Sequence, residues 1–317
     1  MDLSSAIAAF VTDRCHLSIG GFTVNRNPMG AVYEIIRQGR KKMHLYAHSN
    51  GQGVDELVGA GCIEKLEIAY AGNGRFAPTC IRFKQAVQNG TILVEDYSNY
   101  QMNLRFQAGA MGVPFLPTRS SLGTDIINKW GFSREVREQD PRIPDEKLVV
   151  GKNPFPGWAD TENLVFVPAI NPDVTIIHVQ QADELGTARI QGLTMADVEQ
   201  AKAAKHLIVT CEELVTTHEM KLHPDSNQIP HFCVDAVVHL PWGAYPTACY
   251  NFYDYDPFFL NDYKKIASDD NLYQKYLDDY IYGTKNHQER LDVAGDLRLQ
   301  TIKADPRTGY AINLDRK

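Results

Sequence analysis

No stretch of this 317-residue chain approaches the roughly 18 consecutive apolar residues that a membrane-spanning helix needs. Its first ten residues hold an acid and no basic n-region, so the form of a secretory signal peptide is missing and a cytoplasmic protein is expected. Six cysteines (Cys15, Cys62, Cys80, Cys211, Cys233 and Cys249) are scattered without a C-x-x-C pair, and read as reduced, mostly buried thiols. Positive charge is scarce as well. The formal net charge is −7 and no basic run exceeds Arg40-Lys41-Lys42, so no basic face for nucleic-acid phosphates is expected. That triplet reads as a solvated helix end. There is no G-x-S-x-G to support a nucleophilic serine and no internal repeat. What remains is an ordinary globular composition with ample material for a core: 44% apolar, 10% aromatic and 22% charged residues.

Short Val/Ile-rich runs alternate with helical patterns, which predicts an α/β fold. Strands are expected at His16–Ile19, Met43–Ala47, Lys65–Ala69, Thr91–Glu95, Leu164–Pro168, Val174–His178, His206–Thr210 and Ala236–Leu240. Helices are expected at Leu3–Thr12, Met29–Gln38, Val54–Gly59, Cys80–Asn89, Tyr100–Met111, Met195–Ala204 and Pro257–Lys264. The alternation predicts an open, mostly parallel or mixed sheet flanked by helices, in a single domain over 1–317. Ser133 to Trp158 is dense in Pro, Asp and Lys and reads as an irregular excursion between two halves of the sheet. From Asn261 onward the chain is polar and rich in tyrosine, which suggests a C-terminal helical wrap over the body.

Ile19-Gly20-Gly21-Phe22 closes a strand on a glycine pair, ahead of Pro28 and the helical pattern from Met29 to Arg37. Glycines at the carboxyl end of a strand allow backbone to approach a ligand, at the sheet edge where α/β proteins bind ligands. A packing turn would look the same. Asn73 lies in Ala71-Gly72-Asn73-Gly74-Arg75, a second strand-end loop equally suited to a tight turn. The loop Pro114–Asp125 is stiffened by two prolines and then offers Arg119, Ser120 and Ser121, which suit a carboxylate grip or a helix cap. Asp55 and Glu56 read as acids near a helix start, favoured by its dipole. Adjacent Glu95 and Asp96 would point to opposite faces of a strand. The spacings of His218, His223, His231 and Cys233 match no established metal site, and His178 reads as a core histidine.

Five stretches in order resemble the family I CoA-transferases, and within them the A (alpha) subunits of the glutaconate type. They are the Gly20-Gly21-Phe22 turn with Pro28; Phe115-Leu116-Pro117-Thr118-Arg119; Asp173–His178 running to Ala182–Gly186; Ile208–Glu213; and Gly243-Ala244-Tyr245-Pro246 running to Tyr253–Asp256. The resemblance covers roughly Ser4 to Asn313. It implies a heteromeric enzyme that moves CoA from an acyl-CoA to a small carboxylic or dicarboxylic acid. A glutamate on a B (beta) subunit would form an acyl–glutamyl anhydride and then a glutamyl-CoA thioester. Coenzyme A would be substrate, with no further cofactor and no metal. This chain would then supply no nucleophile, because its His48-Ser49-Asn50-Gly51 lacks the glutamate of the partner's Ser-Glu-Asn-Gly motif. Its substrate-binding residues would be Gly20, Gly21, Phe22, Arg26, Asn73, Arg119, Ser120 and Ser121. On this reading the N–H groups of the Gly-Gly turn stabilise oxyanions and the Arg119 loop grips a distal carboxylate. Two departures bear on which acid is taken. Arg26 stands where the general signature has glycine, and Tyr245 where the glutaconate type carries histidine. A decarboxylase of glutaconyl-type thioesters, a CoA-linked ring-opening hydrolase and a non-catalytic acyl-CoA-binding subunit are the alternatives.

Overall fold

The computed structural model describes residues 1–155, 157, 162–312 and 314. These residues form twelve strands: β1 (His16–Ile19), β2 (Phe22–Thr23), β3 (Met43–Asn50), β4 (Ile63–Ala71), β5 (Leu93–Asp96), β6 (Phe115–Thr118), β7 (Val149–Lys152), β8 (Asn163–Pro168), β9 (Val174–Asp183), β10 (Ala188–Arg189), β11 (His206–Val215) and β12 (Ala236–His239). Seven of them make a parallel sheet in the order β12-β11-β9-β1-β3-β4-β5, with β2 added parallel to β3 and β10 antiparallel to β9. The expected α/β fold, a mostly parallel sheet flanked by helices, is what forms.

β1 is central, with Leu17 opposite Val174 on one side and Leu45 on the other, and all four of its residues are buried. Burial on both faces explains why these strands read as apolar runs. On one face Leu17, Ile19 and Leu45 pack with the helices Leu3–Phe10, Met29–Arg37 and Gln52–Gly59. On the other, Tyr46 joins Met102 and Phe106 of the helix Asn99–Met111. That helix opens on a Ser98/Gln101 capping box and ends at Gly112 with φ +69°, a left-handed cap that glycine adopts at little cost.

The expected strand Leu164–Pro168 forms, but outside the main sheet. β8 is the middle of a separate antiparallel sheet, β6-β8-β7. A five-residue apolar run signals a strand without naming its neighbours. Val165 and Val167 settle the question by filling the cluster under the helix Asn99–Met111. The stretch expected to be irregular contains a short helix, Arg134–Glu138, and β7. Pro156 and Trp158 of that stretch lie outside the described residues. Ion pairs of Arg137 with Glu95, Lys147 with Asp96 (3.0 Å) and Arg142 with Asp173 (2.7 Å), and a hydrogen bond between His16 and Asp140 (2.8 Å), fasten it to the main sheet.

Toward the C-terminus, the helices Pro257–Ala267 and Asp270–Tyr276 lead into a π-helical turn, Leu277–Tyr282. Tyr263, Tyr273, Tyr276 and Tyr280 are buried there against the main core. Among the described residues no helix is long and apolar enough to cross a membrane.

Candidate active site at the strand ends

The chain leaves β1 through Gly20 and Gly21, and both glycines have a physical reason. A Cβ on Gly20 would lie 2.9 Å from Ile177 Cγ2 and 3.1 Å from the Asp197 carboxyl carbon, and Gly21 has φ +88°. The Gly20 N–H donates to Ile176 O (2.9 Å), the Gly21 N–H to Asp197 Oδ1 (2.8 Å) and the Phe22 N–H to Asn25 O (2.8 Å). The three donors expected to meet an oxyanion are therefore already engaged inside the chain, which corrects that role. They hold the turn in shape.

Asp197 opens the helix Asp197–Ala203, where the dipole favours an acid. It is fully buried, and its other oxygen accepts from the Arg26 guanidinium (2.8 Å). Burial raises the Asp197 pKa above its ordinary value, while Arg26 and the Gly21 N–H oppose that rise. Arg26 is only 5% exposed and also donates to Leu193 O (3.1 Å). Its Nε has no hydrogen-bond partner among the described residues. Arg26 has φ +51°, in the left-handed region that favours glycine. From the same helix Gln200 donates to Ser18 Oγ (2.9 Å) and Ile19 O (3.0 Å), so one helix fixes both the end of β1 and the turn.

Neighbouring strand ends close around this turn. Asn50 Nδ2 donates to Gly20 O (2.9 Å), and the Gly53 N–H donates to Asn27 Oδ1 (3.1 Å). Gly51 leaves no room for a side chain: a Cβ there would sit 2.0 Å from Asn73 Oδ1 and 2.6 Å from Gly72 O. Asn73 in turn donates to Gln52 Oε1 (2.8 Å), and Gln52 donates to Glu56 Oε1 (2.9 Å). The loop after β12 arrives from the other side. Gly243 O accepts from the Gly30 N–H (2.8 Å), Thr247 Oγ1 from the Asn27 N–H (3.1 Å) and Ala248 O from the Arg26 N–H (2.7 Å). Beside the turn opens a cavity of about 440 Å³, with Asn25, Arg26, Gln180, Gln191, Tyr250 and Tyr310 in its wall. No glutamate lines it among the described residues.

A family model described as coenzyme A transferase matches residues 1–240. The chain is 38% identical to the A (alpha) subunit of glutaconate CoA-transferase from Acidaminococcus fermentans, over 100% of this chain and 98% of that one. The chain belongs to the coenzyme A transferase family. The crystal structure of the Acidaminococcus glutaconate coenzyme A-transferase superposes with a TM-score of 0.94 at 38% identity, covering 99% of this chain and 98% of that chain. The A (alpha) subunit of 3-oxoadipate CoA-transferase from Pseudomonas knackmussii is 33% identical over 91% of this chain and 95% of that one. A variant of the decarboxylase AibA/AibB matches with a TM-score of 0.70 at 29% identity, covering 87% of this chain and 97% of that chain.

In this coenzyme A transferase chain the remaining candidates fall in three groups. Arg119 is exposed and follows β6 of the second sheet, and the hydrogen bonds described for Ser120 and Ser121 are local. No described bond ties this loop to the Gly-Gly turn. Tyr245 is fully buried and donates to Asp256 Oδ2 (2.7 Å), away from the cavity wall. Asp55 lies in the first turn of the helix Gln52–Gly59, as expected, with Glu56 directly after it, and both acids are buried. Asp55 accepts from the Phe83 N–H (2.8 Å) and the Tyr263 hydroxyl (3.0 Å). Glu95 is buried on Arg137 while Asp96 is exposed, so the two acids do not cooperate.

His178 is a core histidine, as expected, but with unexpected company. Its ring nitrogens lie 2.8 Å from Thr210 Oγ1 and 2.7 Å from Glu212 Oε1. His178, Glu212 and Cys249 make the one group among the described residues whose donor atoms approach metal-site distances. Glu212, however, already accepts from the Trp242 N–H (2.8 Å) and the Tyr253 hydroxyl (2.5 Å), so the set is a satisfied hydrogen-bond network. Asp197, Gln180, Gln191 and Tyr250 were missed by the sequence reading. Asp197 alone left a trace, as an acid at the start of an expected helix.

Proposed function

We propose that this chain is the A (alpha) component of a heteromeric CoA-transferase that moves CoA between an acyl-CoA and a small carboxylic acid, of which a dicarboxylic acid such as glutaconate is the leading candidate. A glutamate of the B (beta) component carries the anhydride and thioester intermediates. One observation supports this division of labour above the others: among the described residues the cavity beside the Gly-Gly turn has no glutamate in its wall, and the one acid that lines it, buried Asp254, already accepts from the Ala311 N–H (2.7 Å). A wall without a free nucleophile suits a chain that shapes the acyl site while its partner does the chemistry. The chain's part is positioning. Gly20, Gly21 and Phe22 form the turn, Arg26 and Asn73 border the site, and Arg119, Ser120 and Ser121 are offered to the acid from a separate loop. On this reading CoA takes part only as substrate and the complex works in the cytoplasm.

The test is co-expression with the product of the adjacent gene, borohydride reduction in the presence of an acyl-CoA, and mapping of the modified peptide. Reduction of a partner glutamate is the expected result. Consumption of the acyl-CoA with no residue trapped would overturn the transferase reading. It would favour the decarboxylase alternative, to which the likeness with AibA/AibB lends some weight.

A further inference from the structure

The basic triplet noted in the sequence does not behave as one unit. Lys41 caps a helix end, its ammonium donating to Ala60 O (2.7 Å), and Arg40 donates to Gln38 Oε1 (3.1 Å). Lys42 does neither. Its side chain makes no hydrogen bond or ion pair among the described residues, and the same holds for Arg14. Register brings the two together: His16 of β1 pairs with His44 of β3, so Arg14 and Lys42 each stand two residues ahead of a paired histidine. The Arg14 N–H donates to Lys41 O (3.1 Å), which ties the two strand entrances together.

Between them opens a cavity of about 390 Å³ at the amino ends of the strands, opposite the Gly-Gly turn. His16 and His44 form its floor, buried and with ring centroids 4.5 Å apart. Arg14, Lys42, Lys65 and Arg142 stand around it. Its acids are already engaged. Glu64 accepts from Lys65 (2.9 Å), and Asp140 is shared by Arg142 (2.9 Å) and His16 (2.8 Å). Asp173 also accepts from Arg142 (2.7 Å), so Lys65 and Arg142 are paired, while the exposed Arg14 and Lys42 have no partner among the described residues. Helix carbonyls, the ordinary partners of cations at this edge of a sheet, are served by Lys41 instead.

We propose that this cavity binds a small dianion of the phosphoryl class, with Arg14 and Lys42 as its direct ligands. A dianion matches the two unpaired cations, and an arginine beside a lysine offers a planar fork and a point charge to the same oxygens. The site is distinct from the acyl cavity. The run from His44 to Asn50 along β3 separates the two edges by about 20 Å of strand.

The test uses the co-expressed complex in low-salt buffer, titrated with inorganic phosphate and with glycerol phosphate by calorimetry, while the imidazole resonances of labelled histidine are followed by NMR. The expected result is one phosphate per copy of this chain, with Kd about 1 mM or tighter, shifts at His16 and His44, and at least tenfold weaker binding in an Arg14→Gln/Lys42→Gln double variant. Both replaced side chains are exposed and unpaired, so the variant keeps its fold, checked by an unchanged melting temperature without phosphate. Equal binding by the double variant, or no binding at all, overturns the proposal. Succinate supplies the same charge on carboxylates: binding as tight as phosphate overturns the phosphoryl assignment. Glycerol phosphate binding at least as tightly as phosphate identifies a phosphomonoester, and its exclusion identifies the free ion.

Discussion

Replacing Glu56 by glutamine should flatten the pH dependence of stability between about pH 5 and 8. Glu56 is fully buried, and its Oε1 accepts from the Tyr276 hydroxyl (2.7 Å), Gln52 Nε2 (2.9 Å) and the Tyr33 hydroxyl (3.3 Å). Its Oε2 has no partner among the described residues. Burial pushes its pKa from 4.5 up to about 8, and the adjacent Asp55 adds to the rise. The folded protein therefore keeps the proton over a range where the unfolded chain has lost it. Stability from this group is fully present below pH 4.5, falls as pH rises, and is gone once pH passes about 8. A gap of about 3.5 pH units at about 1.4 kcal/mol each gives a loss on the order of 5 kcal/mol across the window. Asp55, pushed up to about 6 chiefly by burial, acts in the same direction over the acid part of the range. Urea unfolding of wild type and Glu56→Gln at four pH values between 5 and 8 measures the slope directly. Glutamine keeps the shape and a neutral carbonyl, so the variant should be relatively more stable at pH 8 than at pH 5. Parallel profiles for the two proteins would refute a neutral Glu56.

Asp197→Ala removes the acceptor of the Gly21 N–H and strands the Arg26 charge. It should cost about 3–5 kcal/mol by urea unfolding, and Asp197→Asn, which keeps an acceptor, should cost less. Gly51→Ala places a methyl 2.0 Å from Asn73 Oδ1 and 2.6 Å from Gly72 O, so that loop must move. Activity of the co-expressed complex should fall at least tenfold, and a wild-type rate would show that the loop is free to adjust. Despite burial, which acts upward, Arg105 and His44 hold the Glu67 carboxyl well below its usual range. Arg105→Ala should therefore cost about 3–5 kcal/mol, with the added loss of stability greatest near neutral pH, where the buried Glu67 charge would have lost its arginine.

What the sequence conveyed about the fold was local. β1, β9 and β11 are buried on both faces, so apolar runs located them, and the helix Met29–Arg37 announced itself by spacing. The sheet membership of β8 was not local information. Of its partners, Val149–Lys152 precedes it closely but Phe115–Thr118 lies far away in sequence, and the sheet they make covers the helix Asn99–Met111. The site divides in the same way. Gly20 and Gly21 were legible because a glycine pair at a strand end is a backbone statement. Asp197 was not, because its significance rests on a hydrogen bond to a residue 176 positions earlier. The N–H groups of the turn looked available for the same reason: their acceptors, Ile176, Asp197 and Asn25, belong to tertiary structure.

Arg26 shows how such a long-range partner can alter a local rule. The general signature has glycine at this position, and the backbone there, at φ +51°, is of the kind glycine tolerates without strain. A side chain with a Cβ costs on the order of 1 kcal/mol in that conformation. The cost is offset here because the same side chain meets Asp197 at 2.8 Å and Leu193 O at 3.1 Å, satisfying an acid that is fully buried. The exchange also changes the site. Where glycine would leave open space, a guanidinium forms part of the wall of the 440 Å³ cavity, and its charge is balanced by Asp197 rather than by solvent. Arg26 and Asp197 are thus a single unit in folding, and a substitution that touches one of them without the other leaves a buried charge unpaired.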